Sequence, residues 1–306
     1  MVLGRMTDAP VNRPVAGILW MVASGLLFVF VNAGVKYLGP RVPAPEAAFL
    51  RYALGIVLLL PTIRPIIRAR LTRRQWGMIS ARGVLHALGV GTWFYAMAQI
   101  PIADVTAINY LSPIFVAIGA AVFMGEKLAA RRIAAIAIGL LGALVILRPG
   151  AREIEAGHMA MVVTALFFAV SYMIAKRLSD ELPPMVVVSL LSISVAVALA
   201  PVAISVWVPP DLETLIILFG VAVVATTGHY CMTLGLRAAP ITLTQPVTFL
   251  QLVWAVSLGY FAFDEAVDPY VILGGGMIIA AVSFITWREA KLKRRAVIPP
   301  PQATKV

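Results

Sequence analysis

The feature that most constrains this chain is a run of ten apolar stretches, spaced at near-regular intervals from end to end. They cover about residues 15–37, 44–62, 75–98, 103–123, 131–148, 157–177, 184–206, 212–236, 241–261 and 269–288. Each offers roughly 18–25 mostly apolar residues, enough to cross a bilayer as a helix. Open strands are excluded, because their edges would leave backbone groups without hydrogen-bond partners in lipid. The remaining sequence cannot supply a soluble surface either. Of 306 residues, 61% are hydrophobic and 13% charged, and the mean hydropathy is +0.93. The expectation is an all-α polytopic membrane protein with ten transmembrane helices.

The net charge of +11 raises the question of nucleic acid. The basic residues crowd into the short segments between apolar stretches, which is where membrane topology uses them. No nucleic-acid partner is therefore expected; lipid headgroups beside the basic loops are. With the amino end placed in the cytoplasm, nineteen Lys and Arg fall on the cytoplasmic side and four on the other, Lys36, Arg41, Arg148 and Arg152. Arg51 and Arg82 lie within stretches. Both termini are thus expected in the cytoplasm. The first stretch is too long for a cleavable signal and reads as a retained span. The single cysteine, Cys231, lies inside a stretch and gives no disulfide framework.

The sequence repeats itself. AAVFMGEKL ends an apolar stretch on Glu126, and SLGYFAFDEAV ends another on Glu265, 139 residues later. The same offset pairs Pro101-Ile102 with Pro240-Ile241. An offset of 140 pairs Gly17 with Gly157, Phe28 with Phe168, Lys36 with Lys176 and Pro61 with Pro201. The chain reads as two five-helix units, residues 15–148 and 157–288. A cytoplasmic segment (1–14) precedes them, and a basic, proline-containing tail (289–306) follows. Five is odd, so the second unit enters the membrane from the opposite side. Inverted repeats of this kind build secondary transporters with a central site at half depth.

Polar residues on the spans mark candidates for that cavity. Ser24, Phe28 and Asn32 follow one another at i, i+4, i+8, on one helical face. Thr164, Phe168 and Tyr172 occupy the matching places in the second unit. His86, Trp93 and Tyr95 stand on the third span, Thr106, Asn109, Tyr110 and Pro113 on the fourth. His229 and Tyr230 belong to the eighth, Gln245 and Gln251 to the ninth. Such groups are costly against lipid and should turn inward. Lys36, Lys176, Glu126 and Glu265 are expected to tie helix ends or serve as gates, and Pro113 to shape its helix. Arg51 and Arg82 can snorkel to headgroups, or hold a substrate carboxylate. Small-residue stripes on the fifth span (Ala135, Gly139, Ala143) and the tenth (Gly274, Gly275, Gly276, Ala280) predict a close pair within the chain.

No carboxylate stands near the middle of a span, which disfavours an acidic proton relay; His86 and His229 are the titrating groups available there. Hydroxyls, amides and aromatics suit a small solute with an apolar body and polar ends. There is no GxSxG, no HExxH and no Cys/His metal spacing. Neither catalytic residues nor a metal nor a cofactor is expected, and the oligomeric state defaults to a monomer. A carrier of sugars, drugs or a nucleoside-like solute on the same architecture is the nearest alternative; a membrane enzyme, and then a lipid scramblase or channel, are the others.

The stretch ARGVLHALGVGTWFYAMAQIPIADVTAINYLSPIFVAIGAAVFMGEKL, with FLRYALGIVLLLP before it and FAFDEAV later, resembles the drug/metabolite transporter superfamily, in particular its EamA-type ten-helix members. The resemblance covers nearly the whole chain. It implies movement of small metabolites by alternating access in a bacterial inner membrane. The likeness is greatest to the YddG-type exporters of aromatic and other neutral amino acids. The second unit departs from the pattern at Leu252, which stands where Pro113 would be matched and leaves the ninth helix's register open.

Overall fold

The computed structural model describes residues 14–60, 63–124, 130–151, 153–238 and 247–297, apart from a few side chains within those helices. The described residues are helical nearly throughout, without strands. The helices are α1 (Pro14–Leu38), α2 (Ala44–Leu58), α3 (Ile63–Arg68), α4 (Arg73–Gln99), α5 (Ile102–Asn109), α6 (Leu111–Met124), α7 (Ala130–Leu147), α8 (Ala156–Glu181), α9 (Pro184–Ser205), α10 (Leu212–Ala238), α11 (Leu250–Phe263) and α12 (Pro269–Val297). A short 3-10 turn, Gly39–Arg41, joins α1 to α2.

Three departures from the sequence reading have local causes. The fourth span is not one helix: it breaks between α5 and α6 at Tyr110. The ring of Pro113 takes the space beside the carbonyl four residues back, that of Asn109, and Pro113 has no N–H to give it. Tyr110 N instead closes a tight turn on Ala107 O at 3.2 Å. The last helix runs on to Val297 rather than stopping at 288, because Glu289, Ala290, Lys291 and Leu292 are strong helix formers. Basic residues in its closing turns also suit the negative end of the helix dipole. Between the second and third spans, a segment read only as a basic loop contains the helix α3.

The packing obeys the repeat. If spans one to five correspond to six to ten, each close pairing should have a mate. α1 packs along α10, and its mate is α8 along α4. α2 lies against α10, and its mate is α9 against α4. Three pairings map onto themselves: α2 with α9, α5 with α11, and α7 with α12. Finer contacts follow suit. Ser24 Oγ donates to Gly228 O at 2.9 Å, and Thr164 Oγ1, its counterpart, donates to Gly89 O at 3.3 Å. Gly89 and Gly228 are themselves 139 residues apart. A phenylalanine packs on each: Phe168 lies 2.7 Å from where a Cβ on Gly89 would stand, and Phe28 is in ordinary contact, 3.5 Å from that position on Gly228. The protein is thus a two-repeat polytopic bundle. Its halves interlock, since helices of one repeat seek partners in the other.

The α7–α12 pair forms within the chain as the small-residue stripes predict. A Cβ on Gly142 would lie 2.6 Å from Gly274 O, so the two backbones touch. The self-paired breaks sit opposite each other. Tyr110 and Phe249, 139 residues apart, meet edge to face at 5.3 Å, and Tyr110 Oη donates to Thr248 O at 3.3 Å. Leu252 N has turned to Phe249 O instead, at 3.1 Å. The second break therefore forms without a proline, and the tyrosine takes up the carbonyl it frees. This contact marks the pseudo-twofold axis, because only residues near the axis can touch their own equivalents.

Candidate functional site

At the core of the interlocked halves lies a polar and aromatic cluster built mainly on α2, α4 and α8. The first two are not among the helices long and apolar enough to cross a membrane on their own; they spend side chains on the interior. His86 is its hub. Nε2 lies 3.1 Å from Tyr52 Oη, and Nδ1 3.2 Å from Ser171 Oγ. The imidazole stacks on Phe168 at 4.9 Å and 27°, and Phe168 tilts against Tyr172 at 6.2 Å. Across the axis, Phe28 meets His229 edge-on at 5.0 Å. Each repeat therefore contributes a phenylalanine held against a histidine from the other repeat.

Several expected residues belong here: Phe28, His86, Phe168, Tyr172 and His229. Ser24 is buried but spent on Gly228 O, so it links helices instead of facing a solute. Asn32 and Thr106 are buried and Asn109 half-buried; Thr106 Oγ1 and Asn109 Oδ1 have no hydrogen-bond partner among the described residues. Tyr110 holds the axis. Trp93 packs edge-on against Phe94 at 5.3 Å. Tyr95 lies elsewhere: it lines a cavity of about 200 Å³ beside Val35, Leu38, Phe94 and Gln99. Tyr230 is exposed with no described contact to the cluster, and Gln251 is half-buried on α11. Glu126 and Gln245 lie outside the described residues, as does the side chain of Lys176. Arg51 and Arg82 do not snorkel; both are buried, because their helices turn them inward toward Tyr52 and the α9 backbone.

One end of the bundle is closed. There Lys36 Nζ stands 2.9 Å from Glu265 Oε1 and donates to Ile100 O at 2.8 Å, while Ile102 N donates to Glu265 Oε2 at 2.9 Å. Asp264 makes this geometry possible by taking a left-handed backbone (φ 53°), which lets Glu265 N bond Gly259 O at 3.0 Å and folds the carboxylate back under α11. The same end carries Arg148–Asp268, the exposed pair Arg41–Glu213 and the buried pair His158–Asp104 at 2.9 Å. These pairings join loops that the alternation of spans assigns to one side. The His158–Asp104 pair was missed in the sequence, since both residues sit at span ends where charges ordinarily meet headgroups. Their shared end of neighbouring spans was the available clue.

The other end is different. α1 touches α4 at the Lys36 end, but no comparable contact joins their counterparts α8 and α10 among the described residues. Asn32 and Tyr172 are counterparts too, yet Asn32 is 5% exposed and Tyr172 42%. Tyr172 faces Phe168, so its exposure opens toward the cluster. Among the described residues, the helices are therefore packed more tightly at the Lys36 end than their counterparts are.

Residues 15–148 and 155–287 each match the EamA-like transporter family. The chain belongs to that family. The double match follows the repeat seen in the packing, and membership identifies the protein as a membrane transporter rather than an enzyme. Curated relatives extend over nearly the full length. A riboflavin transporter of Rhizobium johnstonii is 31% identical over 288 residues, covering 93% of this chain and 95% of its own. An S-adenosylmethionine uptake transporter of Rickettsia prowazekii is 27% identical, covering 90% and 94%. A pseudopaline exporter of Pseudomonas aeruginosa is 28% identical, covering 87% and 94%. One solved crystal structure superposes with a TM-score of 0.62 at 18% identity, over 91% of this chain and 99% of that one. That likeness concerns the fold alone.

Proposed function

We propose that the protein carries small amphipathic metabolites across a bacterial inner membrane by alternating access, with aromatic and other neutral amino acids as its cargo and export as the direction. The observation that carries this is the paired phenylalanine–histidine contact at the axis. Each repeat offers a phenylalanine and a histidine, stacked at 27° in one pair and edge-on at 78° in the other, as aromatic surface for a ring and polar atoms for a head. The closed Lys36 end and the exposed Tyr172 fit a carrier halted with one side shut. In this reading the Lys36 end faces outward, the termini lie in the cytoplasm, and the basic loops meet anionic headgroups.

A second reading is carriage of riboflavin, favoured by the riboflavin transporters among the relatives. Its broad ring would use the same stacking faces. Counterflow in proteoliposomes separates the two. Vesicles preloaded with phenylalanine, tryptophan, riboflavin, a nucleoside or a sugar are offered each labelled partner in turn. Accumulation driven by amino acids supports the first reading, and accumulation driven only by riboflavin replaces it with the second. Flux without counterflow by any solute would reject the carrier itself.

A further inference from the structure

Among the described residues, two buried cations have no acid within ion-pair distance. Arg51 and Arg82 are each 8% exposed. Arg51 covers the face of Tyr52, its guanidinium carbon 4.0 Å from the ring centre. Arg82 reaches Val187 O through Nη1 at a marginal 3.5 Å, and its Nε has no hydrogen-bond partner among the described residues. Neither meets a carboxylate within ion-pair distance among those residues; the buried acids make other contacts, and only Glu46 keeps an oxygen, Oε1, without a hydrogen-bond partner there besides Glu265 Oε1, which faces Lys36. Glu46 receives Val208 N, Asp104 pairs with His158, and Glu265 pairs with Lys36.

A buried guanidinium is expensive unless an anion or several acceptors meet it. Arginine presents five donors in a planar fork shaped for a carboxylate or a phosphate. Here one fork is largely unfilled and the other rests on an aromatic face. Both arginines stand beside the cluster. Arg82 lies one helical turn from His86 on α4, and Arg51 adjoins Tyr52, whose hydroxyl meets His86. Tyr172, the exposed side chain of the cluster, packs on Phe168, which stacks on His86 one turn from Arg82.

We infer that Arg51 and Arg82 form the anion subsite of the transport pathway and that the cargo carries one anionic group, a carboxylate or a phosphomonoester, next to its flat body. This rests on the carrier reading and narrows it: an uncharged solute would leave both cations unanswered. The ring would lie among Phe28, Phe168 and Tyr172, with its acid reaching the unfilled fork of Arg82 and Arg51 adding positive charge beside Tyr52.

The test uses the purified full-length chain in nanodiscs, with binding read as ligand-dependent thermal stabilisation. The probes are matched pairs that differ only in charge: tryptophan and tryptophanamide, phenylalanine and its amide, riboflavin 5′-phosphate and riboflavin, and a series of aromatic carboxylates with their amides. At least one acid should bind ten-fold or more tightly than its neutral partner. The carboxylate and phosphate arms decide which anion the site takes. Arg82→Gln and Arg51→Gln should each remove that ten-fold preference while leaving the neutral partner unchanged. Arg82→Lys should restore part of it, which guards against loss through misfolding. The empty Arg82→Gln protein should melt no lower than the parent, whereas an arginine needed for the fold would lower it. Equal affinity of acids and neutral partners, equal losses for both in the variants, or no binding by any acid would each overturn the proposal. Transport of riboflavin untouched by either substitution would sink the anion subsite and keep the carrier; arginine-dependent binding without counterflow would do the reverse.

Discussion

Replacing Glu265 by Gln tests whether the Lys36 end is a gate or a fixed joint. The substitution keeps a carbonyl oxygen for Ile102 N and removes only the charge facing Lys36 at 2.9 Å. The two side chains are 12% and 19% exposed, between a surface pair worth about 0–1 kcal/mol and a buried one whose breaking costs about 3–5 kcal/mol. A loss of about 2 kcal/mol follows, and since 1.4 kcal/mol is a factor of ten, the closed state should lose roughly thirty-fold in population if the bridge exists only there. The assay starts from a Cys231→Ala background carrying Asn32→Cys, one turn below Lys36 on α1. An impermeant methanethiosulfonate reagent is applied from each side of oriented vesicles. From the Lys36 side, modification should speed up by about ten- to thirty-fold in the Gln variant. Lys36→Met should act alike, and the double variant should add little. Rates that stay unchanged, or rise equally from both sides, would refute the gate.

Other substitutions test the packing and the cluster. Gly142→Ala sets a Cβ 2.6 Å from Gly274 O and should destabilise the α7–α12 pair by about 1–3 kcal/mol, read as a lower melting temperature in nanodiscs. Tyr52→Phe deletes the hydroxyl 3.1 Å from His86; at about 1 kcal/mol it should weaken solute binding about five-fold with unchanged membrane abundance. Phe168→Ala removes the ring stacked on His86 and should weaken aromatic solutes far more than aliphatic ones in the counterflow panel. Asp211, exposed at the start of α10, accepts Thr214 N at 2.7 Å, and that bond holds its carboxyl below the ordinary range. Its contribution is present above the unfolded carboxyl's pKa and lost as pH falls through the folded one. The melting advantage of the parent over Asp211→Asn should therefore vanish in acid.

How much of this was readable in the chain depends on the range of the signal. Span length and the 139–140 offset are properties of the chain itself, so the helical class and the two-repeat fold could be read directly. Phe28 and Phe168 were found as counterparts because the 140-residue offset pairs them on matching helical faces. What the offset could not convey was interlocking: Ser24 looks like a cavity hydroxyl until α10 brings Gly228 O to it. Tyr95 and Tyr230 mislead for the same reason, since an aromatic on a polar helix can face lipid or a side pocket as readily as the axis. The break at Tyr110 was latent in Pro113, but its mate at Phe249 has no proline and depends on Tyr110 from the other repeat. The arginines are the sharpest case. Snorkelling is available to any long cation near a span end, and only the packing of α2 and α4 turns these two inward.

The central claim is that the two ends open in turn, and paired spin-label distances test it most directly. One pair, at Tyr37 and Gln99, spans α1 and α4; the other, at Arg177 and Met232, spans α8 and α10. On adding a transported solute, the first distance should lengthen as the second shortens, each between two populations. Both distances widening together, or neither moving while transport proceeds, would contradict the account.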